Sequence, residues 1–317
     1  MNHKREYPLA RKPLPKGEGD IARAVGILRG GGVVAFPTET VYGLGADATN
    51  PRAIARLFEI KARPATNPLI VHVADESFAR RFAREWLPAA TKLVARFWPG
   101  PLTLVVPRTN AIVAEVTAGL DTVGLRAPDH PLALELLRAF GGPIAAPSAN
   151  KSSHVSPTTA QHVHDELGGA VELILDGGPC RVGIESTVLD LSVDPPRILR
   201  LGAVTREMIE SVIGPVDASG TISEVTAPAK SPGQLERHYA PRTPAFRFEA
   251  RDRSKLDLTN AGVIEVIGDP DDYARRFYAR LREMDSKKLC VIYIQMPPDA
   301  PLWAAVRDRI IRATSPL

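Results

Sequence analysis

The feature that most constrains this chain is the alternation, through its first 213 residues, of short apolar runs with helical periodicities, each cut off by glycine or proline. Val33-Val34-Ala35-Phe36, Leu69-Ile70-Val71-His72-Val73 and Leu102-Thr103-Leu104-Val105-Val106 have strand length and strand composition. Shorter candidates follow at 123–126, 144–146, 171–175 and 186–191. Between them Ile21, Ala24, Val25 and Leu28 recur at helical spacing before Gly30-Gly31-Gly32. Helices are also predicted around 51–61, over 78–97 as one or two pieces, over 131–140 and over 205–213. Such interleaving predicts a layered α/β unit. Thr38 to Gly45 reads as a polar, glycine-containing loop after the strand that ends at Pro37, a common place for chemistry.

No apolar run approaches the roughly 20 residues that a bilayer requires. The basic opening MNHKREYPLARKPLPKGEGD has no apolar segment of the secretory kind, so a cytoplasmic protein without membrane contact is expected. From 214 to 244 the periodicity fades into Pro, Ser, Gly and charge, the composition of a linker or an active-site loop. Beyond it, 262–268, 273–284, 289–294 and 303–311 read as strand, helix, strand, helix. That order predicts a small α/β domain with parallel pairing, near the lower size limit for an independent core. The expected organisation is a domain over 15–213, a connector over 214–245 and a small domain over 246–317.

Lys plus Arg number 40 and Asp plus Glu 36, a net charge of +4 with the signs interspersed. This argues against a duplex-binding face but leaves small anionic ligands open. Cys180 and Cys290 form no CxxC pair, so neither a disulfide framework nor a thiolate metal site is indicated. No GxxxxGK[ST] or GxGxxG string is present.

Lys61-Ala62-Arg63-Pro64 places two cations just after a helix, suited to phosphate or carboxylate oxygens or simply to a basic surface. Arg126, at the end of an apolar run, needs an anionic partner if buried, either a substrate carboxylate or an internal acid. His72 in its apolar run reads as a hydrogen-bonded core histidine, and Glu39 as a solvated or capping side chain. Ser148-Ala149-Asn150 offers a hydroxyl and an amide fit for phosphate or ribose, without the GxSxG context of a nucleophile. His154, His162 and His164 lack an acidic metal motif and read as solvated or capping groups. Ser186-Thr187 suits a helix cap or an anion. Ser231-Pro232-Gly233 and His238-Tyr239-Ala240-Pro241 put imidazole and aromatic groups into the polar connector, as packing anchors or as a cover over a nucleotide.

FPTETVYGLG, KARP with NPLIVHV, PSAN, PCRVGIESTVLD, LRLGAVT and SPGQLERHYAP, in that order, resemble the threonylcarbamoyl-AMP synthase family in its long form. The resemblance implies a twisted open α/β sheet domain with a large concave cavity, plus a small Rossmann-like α/β C-terminal domain. It implies an enzyme that joins L-threonine, bicarbonate or CO2 and ATP into threonylcarbamoyl-AMP with release of pyrophosphate. That product would pass to the tRNA threonylcarbamoyl transferase machinery, which modifies the position beside the anticodon. On this analogy Lys61, Arg63 and Arg200 are catalytic cations. Asn67, Ser148, Asn150, Ser156 and Tyr239 join them around ATP. Thr38, His72, Arg126 and Ser186 meet threonine, while Thr122 and Ala146 line the same cavity, Thr122 being counted also with the ATP group. Mg2+ arrives on the ATP phosphates and no protein metal site is assigned. Ala62 and Ser153 stand where the family often has glycine, and Gln234 where it often has methionine. Two other classes fit less well: a nucleic-acid binding module, and a carbamoyl transferase maturation factor, which would carry cysteine-rich zinc segments.

Overall fold

The structure, a computed structural model, describes residues 18–218 and 238–317. Helix α1 (Glu18–Arg29) stops where the Gly30, Gly31 and Gly32 amides turn back to carbonyls of its last turns. A hairpin follows, β1 (Val34–Phe36) and β2 (Gly43–Asp47), then α2 (Pro51–Lys61) and β3 (Ile70–His72). Asn50 caps α2 by accepting from the Arg52 and Ala53 amides, with proline at the first helical position. The chain continues through α3 (Glu76–Ala79), α4 (Pro88–Phe97), β4 (Leu102–Pro107), β5 (Thr122–Arg126), α5 (Pro131–Phe140) and β6 (Ile144–Ala145). The domain closes with α6 (Ala160–Leu167), β7 (Leu173–Ile174), β8 (Thr187–Asp190), β9 (Arg197–Arg200) and α7 (Arg206–Ile213).

These strands form one mixed nine-stranded sheet in the order β7-β1-β2-β6-β3-β5-β4-β8-β9. Alternation along each strand divides its residues between two apolar layers. In β1, Val34 and Phe36 pack with α1 and α5, whereas Ala35 joins the larger core that holds α2, α4, α6 and α7. Strand β2 corrects the loop expected after Pro37. Its glycines read as breakers in the sequence, but a Cβ at Gly45 would lie 2.7 Å from the Phe36 ring and 2.8 Å from Ile144. The sheet therefore needs glycine there. Strand β9 escaped the sequence reading because only Ile198 and Leu199 separate its arginines. Helix α6 begins at Thr159, whose side chain accepts from the His162 amide.

Past Gly214 the chain stays on this domain, the Ile198 amide donating to the Asp217 carbonyl at 2.8 Å. The second domain comprises β10 (Ala245–Phe248), β11 (Ala261–Ile264), α8 (Pro270–Ser286), β12 (Val291–Gln295), α9 (Ala304–Ala313) and β13 (Ser315–Pro316). Its four strands are all parallel, in the order β11-β12-β10-β13, with helical crossovers as expected of a Rossmann-like unit. The two domains share a core, since Val41, Val155 and Ile184 pack with Phe277, Tyr278 and Ile310. At Gly183, where φ is +81°, a Cβ would stand 2.4 Å from the Arg275 Cα, so only glycine permits this approach of α8. Among the described residues no helix is long and apolar enough to cross a membrane.

Candidate active site

The site lies at the ends of β3 and β5 and is built by their register. These strands are parallel, and His72 stands opposite Arg126, so both side chains share one face at the carboxyl ends of their strands. Thr122 shares that face but lies four residues back along β5, about 13 Å at the rise of an extended strand. It lines a small cavity with Thr103 and Val188, and Ile70 is common to this cavity and the one at the strand ends.

The cavity at these strand ends brings together Thr38 and Arg126, His72 and Ala146, Arg63 and Ser148, and Arg200 and Tyr239. The wide cavity implied by the resemblance is narrowed here to about 50 Å3, with His238 and Tyr239 in its wall. Lys61, Asn67, Asn150, Ser156 and Ser186 are buried behind these residues rather than lining the cavity.

Arg126 has the internal acid that its position demanded. Its Nη2 lies 2.7 Å from a carboxylate oxygen of Glu39, and both side chains are buried, which corrects the solvated reading of Glu39. Nε donates to the Gly100 carbonyl at 3.3 Å and Nη2 to Thr40 Oγ1 at 2.9 Å. Among the described residues neither Glu39 oxygen has an aligned hydrogen-bond donor, so the pair is held by charge rather than by hydrogen-bond geometry. Thr38 turns its hydroxyl to the Val41 carbonyl at 2.6 Å and meets Thr40 Oγ1 at 2.8 Å, tying the loop between β1 and β2 across the cavity mouth. Burial, reinforced by the Arg126 charge, depresses the His72 pKa to about 3 and keeps the imidazole neutral.

On the opposite wall, Ala62 ends α2 in the left-handed region with φ 49°, and this turn sends the two cations in different directions. Lys61 donates through Nζ to the carbonyls of Ser148 and Asn150, so it shapes the PSAN loop from behind. Burial and the neighbouring Arg63 charge pull its pKa well below the usual lysine range. Arg63 reaches the cavity, its Nε bonded to the Asn67 carbonyl at 3.2 Å and Nη2 to the Pro68 carbonyl at 3.1 Å. Burial lowers its pKa to about 10, which leaves it charged at neutral pH. The Asn67 side-chain amide, buried beside it, has no partner among the described residues. Asn150 spends its amide on the Lys151 and His154 carbonyls, and its own oxygen has no donor among the described residues.

Arg200 donates from Nε to the Ser186 carbonyl at 2.9 Å and from Nη2 to Ser186 Oγ at 3.0 Å. Ser186 Oγ also meets Thr103 Oγ1 at 2.8 Å, so Ser186 caps no helix but orients a cavity arginine. Ser156 donates to Glu185 at 2.6 Å. Thr40, Thr103 and Glu185 were not singled out from sequence, although Thr40 and Glu185 sit in the strings FPTETVYGLG and PCRVGIESTVLD that marked their neighbours. Of the three outlying histidines, His154 pairs with Glu166 at 2.9 Å, while His162 and His164 lie on α6. Ser231, Pro232, Gly233 and Gln234 lie outside the described residues.

Around one buried space, Arg126 is therefore suited to a small carboxylate and Arg63 and Arg200 to phosphate oxygens. A family model described as "Telomere recombination" (Sua5/YciO/YrdC) matches residues 26–202. A second, described as "Threonylcarbamoyl-AMP synthase, C-terminal domain", matches residues 204–315. The threonylcarbamoyl-AMP synthase of Bacillus subtilis is 40% identical over 99% of this chain and 98% of its own length. That of Pyrococcus abyssi is 40% identical over 94% of each. The crystal structure of P. abyssi Sua5 complexed with L-threonine superposes with a TM-score of 0.90 at 40% identity, covering 96% of this chain and 98% of that one.

Proposed function

The chain belongs to the threonylcarbamoyl-AMP synthase family, and from that premise we infer that it is an L-threonylcarbamoyladenylate synthase, a nucleotidyltransferase. It joins L-threonine, bicarbonate or CO2 and ATP, releasing pyrophosphate. The observation that carries this reading is the placement of Arg126 and Arg63 in the walls of a single cavity, one suited to an amino-acid carboxylate and the other to phosphates.

In the proposed reaction the unprotonated amine of threonine attacks CO2, releasing a proton to solvent, or bicarbonate, whose hydroxyl leaves with the amine's proton as water, to give a carbamate. A carbamate oxygen then attacks the α-phosphorus of ATP and pyrophosphate leaves. Arg126 and Thr38 hold the threonine carboxylate, and His72, kept neutral, bonds to threonine without repelling its amine. Arg63 and Arg200 neutralise phosphate oxygens, and Lys61 fixes the loop that carries Ser148 and Asn150. Catalysis is orientation and charge stabilisation in a space closed to water, without a side-chain nucleophile.

Mg2+ belongs in this reading as an ion carried by the ATP phosphates, where one or two ligands suffice. Among the described residues no group of three His, Cys, Asp or Glu is placed to hold a metal. Glu185, the carboxylate in the cavity wall, already accepts from Ser156, Tyr278 and Arg309.

A cavity of about 50 Å3 is far smaller than the roughly 300–1,000 Å3 of a small-molecule site, so the wall at His238 and Tyr239 must retract to admit ATP. This supports reading 15–213 as the catalytic domain, His238 and Tyr239 of the connector 214–245, of which 219–237 lie outside the described residues, as a cover for the nucleotide, and 246–317 as the small domain behind it. The product is passed on to a tRNA threonylcarbamoyl transferase in the cytoplasm. The deciding assay incubates purified protein with ATP, Mg2+, bicarbonate and each of several amino acids, measuring pyrophosphate and the mass of the adenylate. Threonine-dependent threonylcarbamoyl-AMP is the expected result, and its absence rejects the reading.

A further inference from the structure

A guanidinium carries five N–H donors, and the loop between β1 and β2 decides how those of Arg126 are spent. Nε donates to the Gly100 carbonyl at 3.3 Å, while Nη2 donates to Thr40 Oγ1 at 2.9 Å and lies 2.7 Å from the Glu39 carboxylate. Nη1 makes no bond among the described residues, so it is the nitrogen left for a ligand. Thr40 is buried in the cavity wall beside Thr38 and Arg126, whereas Glu39 between the two threonines turns behind that wall.

The directions of the bonds around Thr40 follow from counting protons, since a hydroxyl has only one to give. Thr38 gives its proton to the Val41 carbonyl at 2.6 Å, an oxygen that can only accept. The 2.8 Å contact between the Thr38 and Thr40 hydroxyls therefore takes its proton from Thr40. A guanidinium can only donate, so Thr40 Oγ1 accepts from Arg126. The result is a single chain of one polarity, from Arg126 through Thr40 and Thr38 to the Val41 carbonyl. The Thr40 and Val41 amides, donating to Thr38 Oγ1 at 3.1 and 3.2 Å, hold the turn that brings these groups into line. In such a chain each bond polarises the next, so the cation at its head strengthens the donor at its end.

We propose that Thr40 is a positioning residue for the carboxylate of the amino-acid substrate. It holds Arg126 by accepting from Nη2 and primes Thr38 by donating to it, so that Nη1 and the Thr38 proton are presented together. The carboxylate draws that last proton away from Val41 and leaves the bond from Thr40 to Thr38 intact. The identity of the carboxylate rests on the synthase reading above, but the linkage of Arg126 to Thr38 through Thr40 does not.

The test uses the full chain with Thr40→Val, which keeps the shape and removes the hydroxyl, and Thr40→Ser, which restores it. In the synthase assay Thr40→Val raises KM for L-threonine by about tenfold, the scale of a hydrogen bond to a charged group, while kcat and KM for ATP change by less than about twofold. Thr40→Ser returns KM for threonine to near the wild-type value. A general loosening of the fold would lower kcat and weaken ATP as well. In parallel, 15N NMR of the arginine side chains follows rotation of the Arg126 guanidinium about its Nε–Cζ bond. Wild type and Thr40→Ser give separate Nη1 and Nη2 resonances, and in Thr40→Val their exchange is faster by about tenfold, as expected for one lost bond. A wild-type KM for threonine in Thr40→Val overturns the proposal, as do equal losses for threonine and ATP. Merged Nη resonances in the wild type also overturn it, a result that stands even where Thr40→Val fails to fold. If the wild-type chain makes no threonine-dependent adenylate, the synthase reading fails, and the NMR measurement still judges the hold of Thr40 on Arg126.

Discussion

Arg126 and Glu39 lie 2.7 Å apart, both buried, the arginine in the cavity wall and the carboxylate behind it. The arginine proposed for threonine's carboxylate is thus already neutralised from behind by an acid that does not line the cavity. Removing one member of such a pair leaves a charge without compensation in a low dielectric. Glu39→Gln should lower stability by about 3–5 kcal/mol in the absence of ligand. Because threonine's carboxylate would replace the missing charge, the thermal shift produced by saturating L-threonine should be larger in Glu39→Gln than in the wild type. An equal or smaller shift would place the threonine carboxylate elsewhere.

Lys61 and Arg63 are separated by the left-handed turn at Ala62 and perform different tasks. Lys61→Ala takes one donor from each of the Ser148 and Asn150 carbonyls; Ser148 keeps the Asn150 amide at 3.0 Å, whereas the Asn150 carbonyl keeps no other donor among the described residues, at a cost of about 1–3 kcal/mol. Arg63→Ala removes a cation from the cavity wall. Both should reduce threonine-dependent pyrophosphate release by roughly a hundredfold or more, the scale of a lost electrostatic contact to developing charge. Normal turnover in either variant removes that residue from the mechanism.

His72 and His238 are both buried, and burial is the first cause that depresses each pKa to about 3. An unfolded histidine titrates near 6.5, so between about 6.5 and 3 the unfolded chain binds more protons than the folded one. Their stabilising effect is complete above pH 6.5 and is lost progressively as the pH falls toward 3. Between pH 6.5 and 5 each histidine should cost on the order of 2 kcal/mol. Urea unfolding across this range should show the loss, and His72→Asn should flatten it. A slope unchanged by that substitution would show His72 to be protonated in the folded state.

Ala62 at φ 49° and Ser153 at φ 67° occupy the left-handed region, and these are the two positions at which the family resemblance led us to expect glycine. A side chain costs about 1–2 kcal/mol in that conformation, partly offset by the greater freedom of glycine in the unfolded chain. Ala62→Gly should therefore stabilise the protein by about 0.5–1 kcal/mol, against the usual sign for a glycine substitution. Equilibrium unfolding in urea decides the matter; a destabilised Ala62→Gly would show that the turn is unstrained.

Local order was legible in the sequence wherever a period of two or 3.6 continued long enough to register. Helix α5 was read at its true limits, 131–140, from its leucine spacing and its proline start. The same logic failed at β2, where close packing against Phe36 demands the glycines that mark a turn elsewhere, and at β9, which is too short to show a period. In the candidate site the ordered strings pointed to both walls of the cavity, yet they could not show that Lys61 faces the Ser148 loop while Arg63 enters the cavity, because that depends on the left-handed turn at Ala62.

By itself the sequence determined the alternation of strands and helices, the parallel character of the small domain and the kinds of charge available to a ligand. These follow from local periodicity and residue chemistry. Only the tertiary structure decided which buried charges meet: Glu39 behind Arg126, Lys61 beneath the Ser148 loop, and Arg309 on Glu185 across the domain boundary. A buried charge is stable only with a partner close by in three dimensions, and no local repeat encodes a pairing between residues that lie 124 positions apart.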